Sequence, residues 1–403
     1  MTKKTDTPAI RFKGFSDTWE QRKVAEITTF HKQGFYTTEG YDDDKKYYLL
    51  RGTDLTENKL RLSGTPKIDA TENDYNAFKA QVGDFLIVRS GTVGTYGIVY
   101  EEIPAIFGSY LIDFRFDHDE VTNEFFGYFY QSDLFKNQLR QIIQQSANTN
   151  INAENIKSTV IQLPNINEQK EIGVLFEKLD NVITLHQRKY EKLHNIKKSM
   201  LEKMFPKNGS NVPEIRFKGF TEAWEQRKLG DCFAERVESM PDGELISVTI
   251  NDGIKKFSEL GRHDNSNDDK SKYKKVCIGD IAYNSMRMWQ GASGYSPYEG
   301  IVSPAYTVLS PNSGINSKCL AYQFKLPEMI HTFQINSQGI TSDNWNLKYP
   351  ALSEIEIFVS RNEKEQAKIA EYFEWLDRLI TLHQRELEKL QNIKKSMLEK
   401  MFV

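Results

Sequence analysis

The chain has 403 residues, of which 39% are hydrophobic and 12% aromatic, so it can build the cores of two or three domains. A net charge of −3 argues against a protein that binds nucleic acid through its own excess of positive charge. No apolar run approaches the roughly eighteen residues of a membrane span, and the amino terminus lacks the apolar stretch of a signal peptide. The three cysteines all lie in the second half, which excludes a disulfide framework common to both halves, and we expect a cytoplasmic protein.

The sequence repeats itself with a period of about 200 residues. The repeated pairs are residues 10–23 with 215–228 and residues 184–205 with 381–402. The second pair differs at only three of 22 positions, whereas the stretches 24–165 and 229–360 share little identity. A repeat of this length indicates two copies of a whole domain plus a helix rather than a solenoid. A constant frame around two divergent modules predicts one docking surface used twice and two different recognition surfaces.

Both modules are acidic. Residues 24–166 carry 13 Lys and Arg against 20 Asp and Glu, a net charge of −7, and residues 229–360 carry 12 against 16, a net charge of −4. Any binding to DNA would therefore use local patches, or a partner that neutralises the phosphates.

Apolar runs punctuated by glycine predict a mixed α/β fold for each module. The predicted elements are strands at 85–88, 96–100 and 110–116 and a helix at 125–139 in the first module, and strands at 276–281 and 305–309 and a helix at 318–333 broken at Pro327 in the second. Gly83-Asp84 stands 27 residues before Tyr110, and Gly279-Asp280 stands 27 before Tyr306, which supports two copies of one fold.

A long helix follows each module. From Asn167 onward hydrophobic residues recur in steps of three and four, and the second copy carries a heptad seam, which indicates a coiled coil rather than a solvated helix. Asn165-x-x-Glu168 and Ser360-x-x-Glu363 predict capping boxes at the helix starts. His186 and His383 occupy matching seam positions, so a helix interface is favoured over a metal site and we expect no bound metal.

These patterns divide the chain into five segments. They are the amino-terminal frame with the first recognition domain at 1–165, the first conserved helix at 166–206, a linker with the repeated frame at 207–228, the second recognition domain at 229–360, and the second conserved helix at 361–403.

Motifs for catalysis do not assemble. The chain contains no Gly-Lys pair and hence no phosphate-binding P-loop, no Pro-Pro pair of the amino-methyltransferase motif, and no glycine-rich fingerprint for a dinucleotide or S-adenosylmethionine. Pro241-Asp242 and scattered acid-x-Lys triples lack the spacing of a nuclease site. We therefore expect a chain that is not itself an enzyme.

Polar loops remain as candidates for recognition. Arg, Asn and Gln pair with base edges, and Ser and Thr approach phosphates. For any single residue the alternative is an ordinary solvated loop. The candidates are Arg89, Ser90, Thr92, Thr95, Tyr96, Gln145 and Asn148 in the first module, and Asn284, Ser285, Arg287, Gln290, Ser303, Tyr306, Gln338, Thr341 and Asn344 in the second.

Over essentially its whole length the chain resembles the specificity subunit of type I restriction-modification enzymes. The resemblance rests on the duplicated Phe-Lys-Gly-Phe … Trp-Glu-Gln-Arg-Lys segment and on Glu168-Gln169 and Glu365-Gln366 near the helix starts. It also rests on the shared helix end Lys-Lys-Ser-Met-Leu-Glu-Lys-Met-Phe, and on residues 279–291 with 303–306, which are similar to one type of target recognition domain.

The resemblance implies two homologous target recognition domains of mixed α+β type, separated by two long helices that pack as an antiparallel coiled coil. Each domain would read one half of a bipartite, asymmetric site in double-stranded DNA. The helices would set the spacer and dock two modification (methyltransferase) subunits, with restriction subunits in the full complex. S-adenosylmethionine, ATP and magnesium would then bind the partners and not this chain.

The helices are expected to pair through hydrophobic seam residues. These are Leu179, Leu193, Ile196 and Met200 on the first helix and Leu376, Leu390, Ile393 and Met397 on the second. Two alternatives stay open at this point, a coiled-coil scaffold with no role on DNA and a sequence-specific DNA-binding protein outside restriction-modification. An enzyme acting alone on DNA would need a catalytic motif that the sequence lacks.

Overall fold

The computed structural model describes residues 7–38, 40–89, 95–144, 151–207, 209–250, 253–264, 266–341 and 344–403. It divides into two compact units, the first comprising Met1–Gln187 with Arg385–Val403 and the second comprising Arg188–Gln384. Each unit therefore joins one module to the first part of the helix that follows it and to the last part of the other long helix.

The first unit starts with a strand of a short two-stranded ribbon, and its module leads into the first long helix. Its strands are β1 (Glu20–Lys23), β2 (Thr28–Gln33), β3 (Tyr47–Leu50), β4 (Leu55–Thr56), β5 (Lys59–Leu60), β6 (Lys67–Ile68), β7 (Phe85–Val88), β8 (Tyr96–Ile98), β9 (Ala105–Phe107), β10 (Leu111–Phe116) and β11 (Val160–Leu163). Its helices are α1 (Val24–Ile27), α2 (Glu72–Phe78), α3 (Asn123–Gln131), α4 (Asp133–Gln144), α5 (Ala153–Lys157) and α6 (Ile166–Met204), of which α6 continues into the second unit.

The second unit repeats this plan. Its strands are β12 (Glu225–Lys228), β13 (Phe233–Glu235), β14 (Ile246–Thr249), β15 (Gly253–Lys256), β16 (Lys274–Val276), β17 (Ile281–Asn284), β18 (Ser293–Tyr295), β19 (Gly300–Val302), β20 (Tyr306–Pro311) and β21 (Glu356–Val359). Its helices are α7 (Leu229–Cys232), α8 (Ser317–Gln323), α9 (Pro327–Ile335), α10 (Tyr349–Ser353) and α11 (Glu363–Met401), of which α11 continues into the first unit.

Both modules are built on the same antiparallel sheet. The strand order is β2-β10-β7-β8 in the first module and β13-β20-β17-β18 in the second. A smaller sheet, β6-β3-β9, contains a parallel pairing of β3 with β9, and a parallel bridge between Leu245 and Ile301 holds the corresponding place in the second module. The mixed α/β prediction and the duplication of the module fold are therefore confirmed.

The repeated frame closes each module at its base. Strand β1 pairs with β11, and β12 pairs with β21, in the same antiparallel register. Trp19 and Trp224, which precede these ribbons, are buried at 4% and 3% exposure. The amino-terminal segment of each copy is thereby tied to the strand that leads into the long helix.

An arginine–glutamate pair fixes the start of each long helix. Arg11 donates two hydrogen bonds to Glu168, at 2.7 and 2.8 Å, and Arg216 donates two to Glu365, at 2.5 and 2.9 Å. Both glutamate side chains are fully buried. A buried carboxylate is tolerated when it is paired and hydrogen-bonded, so these bidentate contacts hold the repeated segment against the helix.

The glutamine that follows each buried glutamate binds the module. Gln169 Nε2 donates to the carbonyls of Glu120 and Pro164, and its Oε1 accepts from the amide of Thr122. Gln366 makes the same set of contacts, with Gly314, Ser360 and Asn316. These bonds join the helix start to the loop that precedes α3 or α8.

Within each unit the two long helices run antiparallel. In the first unit Asp180 lies 2.6 Å from Lys394, and the ring centroids of Phe176 and Phe402 are 6.3 Å apart. The second unit has the matching contacts, Asp377 to Lys197 at 2.5 Å and Phe373 to Phe205 at 6.2 Å. Each contact in the second unit repeats one in the first unit with the two helices exchanged. These contacts fix the register of the predicted antiparallel pairing.

The predicted seam residues differ in burial. Leu193, Ile196 and Met200 pack against the second core, which includes the buried Leu376, and Met397 packs against the first. Leu179 and Leu390 are half-buried. Ile393 is 39% exposed, because beyond Leu376 the buried positions of its helix are Ile380, Leu387 and Met401, which stand seven or fourteen residues apart, and Ile393 lies one residue outside that row.

Three predicted elements differ from the structure. The helix at 125–139 is broken at Ser132, whose Oγ accepts from the amide of Phe135 and so starts a second helix. The strand at 276–281 is two strands joined by a turn at Gly279, where φ is +96° and Asp280 accepts from the amide of Cys277. The cap of the second long helix is Asn362 and not Ser360, because Asn362 Oδ1 accepts from Lys364 while Ser360 binds Glu365.

The first long helix is capped by Asn165 as predicted, since Asn165 Oδ1 accepts from the amide of Glu168 at 3.0 Å, while the Glu168 side chain of the predicted capping box bonds to Arg11. The predicted break at Pro327 is also confirmed, since α8 ends at Gln323 and α9 begins at Pro327. In the described part of the chain, none of the helices combines the length and the apolar character needed to cross a membrane.

A buried acid pair distinguishes the first module from the second. Asp84 and Asp113 lie at 1% and 0% exposure and both approach Arg115, with Asp84 Oδ1 2.7 Å from its Nε. Burial, and then the charge of Asp84, raises the pKa of Asp113 to about 8. By strand register the second module has Val308 in the place of Asp113, and its Asp280 pairs with Arg236.

Replacing Glu168 by alanine should destabilise the first unit selectively. The change leaves Arg11 without its buried partner, a loss of roughly 3–5 kcal/mol in the free energy of unfolding. Amide hydrogen exchange should show lost protection in β1 and β11 but not in β12 and β21. The exposed Glu171→Ala on the same helix is the control. Equal loss of protection in both ribbons would contradict the assignment.

Asp113 should make the first unit less stable as the pH rises. The folded state holds the Asp113 proton up to about pH 8 whereas the unfolded chain releases it near pH 4, so the free energy of unfolding falls across that window. Urea unfolding between pH 5 and pH 9 should show this slope in the wild type and a flatter one in Asp113→Val. The exposed Asp119→Asn should keep the wild-type slope. A slope in Asp113→Val equal to that of the wild type would show that Asp113 is not the origin of the pH dependence.

Candidate nucleic-acid interface

The candidate residues of the second module gather where two central strands of its sheet end. Asn284, the last residue of β17, pairs with Tyr306, the first residue of β20. The amide of Ser285 donates to the carbonyl of Ala305 at 3.3 Å, and the amide of Tyr306 donates to the carbonyl of Ser303 at 3.0 Å. The structure therefore brings together four predicted residues, Asn284, Ser285, Ser303 and Tyr306, from two separate segments.

Local hydrogen bonds shape the loop that follows β17. Asn284 Oδ1 accepts from the amide of Met286 at 3.0 Å, and Ser285 Oγ bonds to Thr307 Oγ1 at 2.9 Å. Residues Met288–Gln290 form a 3-10 turn that ends at Gly291, where φ is +82°. Ser285 is thus a buried support, whereas Arg287 stays exposed on the outside of the loop.

The second polar run packs beside this loop. The amide of Leu347 donates to the carbonyl of Ser285 at 2.9 Å, and the indole rings of Trp289 and Trp345 meet edge to face with centroids 5.2 Å apart. Gln338 and Asn346 close the run with two backbone hydrogen bonds of 3.0 and 2.8 Å. The segment 284–291 and the described residues 336–341 and 344–347, distant in sequence, therefore form one surface, which we call the recognition edge of the second module.

The recognition edge presents amides, hydroxyls and one guanidinium to solvent. Gln338, Thr341, Asn344 and Arg287 are exposed, and Asn344 Nδ2 lies 3.4 Å from Thr341 Oγ1. Among the described atoms, Gln290 Oε1 and Asn346 Oδ1 are buried and accept no hydrogen bond. Side chains of these types can donate and accept paired hydrogen bonds at base edges.

The first module ends its central strands in the same register with different chemistry. Val88 pairs with Leu111, as Asn284 pairs with Tyr306, and the amide of Arg89 donates to the carbonyl of Tyr110 at 2.9 Å. Arg89 is half-buried, with its Nη1 3.5 Å from the carbonyl of Ser109. Thr95 is also half-buried.

Tyr96 is a core residue and not part of this surface, contrary to the sequence-based prediction. It is 3% exposed, stacks on Phe85 with ring centroids 4.7 Å apart, and its hydroxyl accepts from Gln131. Gly127 makes room for its ring, because a Cβ there would lie 2.4 Å from the Tyr96 hydroxyl. Burial raises the pKa of the Tyr96 hydroxyl well above its usual range.

Four candidates, Ser90, Thr92, Gln145 and Asn148, lie outside the described residues.

The strand register separates the two tyrosines, Tyr110 and Tyr306, that the 27-residue spacing had matched. Tyr306 corresponds to Leu111, so Tyr110 falls one position earlier and is 69% exposed. Successive strand residues point to opposite faces, and a shift of one residue therefore changes which face a side chain occupies.

Sequence reasoning missed two residues that shape the recognition edge. Trp345 follows the polar run directly and packs on Trp289, so the available signal was one tryptophan next to this run and another within the 284–291 loop. Lys325, between α8 and α9, donates to the carbonyls of Gly291 and Ser293 at 2.6 and 2.8 Å. Nothing in its sequence neighbourhood indicates this contact.

His186 lies on α6 in the helix pair of the first unit. Its Nδ1 is 3.1 Å from Glu386 Oε2, where the first copy of the repeat has Lys189 instead. This contact supports the predicted helix-interface role of His186 within the first unit.

The chain matches one family model twice. The model for the type I restriction modification DNA specificity domain covers residues 16–195 and 221–392. Among curated proteins, the putative type I restriction enzyme MjaX specificity subunit of Methanocaldococcus jannaschii is 25% identical over 230 residues, 53% of this chain and 52% of that protein. The type I restriction enzyme EcoBI specificity subunit of Escherichia coli is 24% identical over 162 residues, 39% of this chain and 34% of that protein.

The matched regions therefore span about half and about a third of the lengths of these two relatives. Among solved structures, the S subunit of a type I restriction-modification system from M. genitalium aligns over 98% of this chain and 99% of its own, with a TM-score of 0.62 and 15% sequence identity. At that identity the likeness establishes the fold of the whole chain.

Proposed function

Because the chain belongs to the family of type I restriction modification DNA specificity domains, we propose that it selects the DNA sequence on which a modification enzyme acts. Each module reads one half of a bipartite, asymmetric site in double-stranded DNA. The chain itself is not an enzyme in this proposal, and it acts as the recognition subunit of a larger complex.

One observation carries the proposal. The frame is the same in both modules, from the Arg11–Glu168 and Arg216–Glu365 pairs to the ribbons, whereas the strand ends that it supports differ in chemistry. The first module places Val88 and Arg89 where the second places Asn284 and Ser285. Two domains that recognise different DNA sequences on one scaffold require a constant support and an edge whose chemistry varies between them.

The candidate contacts follow from exposure. Arg287, Gln338, Thr341 and Asn344 supply the direct contacts in the second module, with Arg287 suited to guanine and Asn344 and Gln338 to adenine. Ser285 supports the loop from within. In the first module Arg89 and the exposed Tyr110 take the corresponding places.

Partners supply what the chain lacks. With net charges of −7 and −4 on its modules, the chain neutralises few phosphates alone, so two modification subunits provide most of the backbone contacts. S-adenosylmethionine binds those subunits, and ATP and magnesium belong to restriction subunits when these are present.

The long helices offer a repeated docking face for the modification subunits. Leu185 on α6 and Leu382 on α11 are matching residues of the repeat, and each is 50% exposed. Val174 and Val182 extend this apolar face in the first unit, and Trp375, 54% exposed, extends it in the second. Large exposed apolar residues in a row on a helix favour a protein partner.

Exchange of one module tests the division of labour. The chain, assembled with its modification subunits, should methylate a two-part site that mapping of methylated bases identifies. Replacing residues 24–165 by the module of a relative should change one half of that site and leave the other unchanged. Alteration of both halves would refute independent reading, and methyl transfer by the chain alone would refute the non-catalytic role.

Arg287→Ala should relax recognition at one base pair of the second half-site. Loss of a bidentate contact of arginine with guanine costs about 1–3 kcal/mol of discrimination. Methylation rates on substrates with single base-pair changes would measure this. Arg262→Ala is the matched control, because Arg262 is an exposed arginine of the same module outside the recognition edge. An Arg287→Ala complex with unaltered selectivity at every position would remove Arg287 from the contact set.

Leu185→Glu should weaken the binding of one modification subunit and leave the other bound, because the charge would be desolvated against the partner. Leu382→Glu should do the same at the second unit. Native mass spectrometry of the assembled complexes would count the bound subunits. Val82→Glu and Ile278→Glu make the same kind of change at matching exposed apolar positions of the two modules, away from the long helices, and serve as controls. Full stoichiometry in both leucine variants would place docking elsewhere.

A further inference from the structure

Lys325 lies between α8 and α9 and makes contacts to which the proposed function assigns no role. Its ammonium donates three hydrogen bonds to backbone carbonyls, to Gly291 at 2.6 Å, Ser293 at 2.8 Å and Ile250 at 3.1 Å. Gly291 ends the loop that carries Arg287, and Ile250 follows strand β14 at the tip of its hairpin. The Lys325 side chain therefore joins the connection between α8 and α9 to the end of the loop at Gly291 and Ser293 and to the β14 hairpin at Ile250.

The position of the ammonium is costly. Burial, and then the nearby charge of Lys197, lowers the pKa of Lys325 to about 8. Its hydrogen-bond acceptors are neutral carbonyls, and the Asp377 carboxylate next to Lys197 is paired with that lysine at 2.5 Å. A methionine of similar length would fill the space without desolvating a charge, so packing alone does not account for a lysine here.

The loop end that Lys325 holds is seated on α9. Gly291 has φ +82°, and a Cβ there would lie 3.3 Å from Ile330 Cδ1. The carbonyl of Gly291 points to Lys325, while its amide donates to the carbonyl of Met288. The ammonium therefore fixes the end of the loop at Gly291, and Arg287 in the same loop is exposed.

The first module has a neutral residue in the same place. Thr122 and Asn316 correspond, since each donates its amide to the helix-start glutamine, and nine residues further stand Gln131 and Lys325. Gln131 bonds to two side chains, the Tyr96 hydroxyl and Lys394 Nζ. The first module therefore provides an internal comparison that has no lysine at this position.

We infer that Lys325 is a positioning residue that sets the specificity of the second half-site, by holding the 284–291 loop at a fixed place on the module. The inference rests on the proposed function, because it assumes that the recognition edge reads DNA. It assigns to Lys325 no contact with the bases. Its effect reaches DNA through the loop that carries Asn284 and Arg287.

The test uses the chain assembled with its modification subunits, in wild-type form and as Lys325→Met, Lys325→Arg and Gln131→Met. Methylation rates are compared on the cognate site, on sites with one base pair changed in the first half, and on sites with one changed in the second half. Lys325→Met should lower discrimination in the second half by about tenfold, a part of what one base contact contributes, and leave the first half unchanged.

The conservative variant separates positioning from bulk structure. Lys325→Arg keeps a cationic donor near the same carbonyls and should recover part of the discrimination in the second half-site. Gln131→Met should leave discrimination in the second half-site at the wild-type value. Discrimination unchanged in Lys325→Met, or reduced equally in both half-sites, would overturn the inference.

Amide hydrogen exchange keeps the test decisive if Lys325→Met assembles poorly. In the Lys325→Gln chain, residues 284–293 should exchange faster than in the wild type, while β7 and β8 of the first module keep their protection. Unchanged exchange of residues 284–293 would overturn the inference. A wild-type complex that discriminates in neither half-site would instead refute the proposed function.

Discussion

The buried pairing of an arginine with a glutamate at the start of each long helix is the contact on which the rest of each unit depends. Glu168 and Glu365 are fully buried, and both oxygens of each carboxylate accept from the guanidinium, which offsets the cost of burying the charge. The arginine belongs to the amino-terminal segment of the copy and the glutamate to its helix. The pair therefore fixes the point at which chain start, module and helix meet.

The neighbouring glutamine extends this constraint into the module. Gln169 and Gln366 satisfy the backbone of the loop before α3 or α8, and that helix packs on the sheet whose ends carry the candidate contacts. Tyr128 and Tyr322 then bond to Asp180 and Asp377 on the long helices. Sequence differences at the strand ends leave all these bonds intact, which explains how the frame stays constant while the modules diverge.

Divergence between the modules is not confined to their surfaces. The first module buries Asp113 where the second has Val308, and the second holds Lys325 where the first has Gln131. Each of these groups carries a desolvation cost that its counterpart avoids. The two modules therefore share a backbone plan but place ionisable groups in different parts of it, so that one can be altered without a matching effect on the other.

The sequence by itself determined the duplication, the two long helices, the mixed α/β class and the family, because repeats and heptad periods are properties of residue order. Only the tertiary structure decided which polar residues share a surface. Tyr96 reads as a loop aromatic but fills the space beside Gly127, and Ile393 reads as a seam residue but lies outside the row formed by Ile380, Leu387 and Met401. The polar runs around Arg287 and Asn344 meet because Leu347 bonds to Ser285 and Trp345 packs on Trp289. Such contacts join residues about sixty positions apart, and local patterns carry no information about them because they arise only when the sheet and α9 pack together.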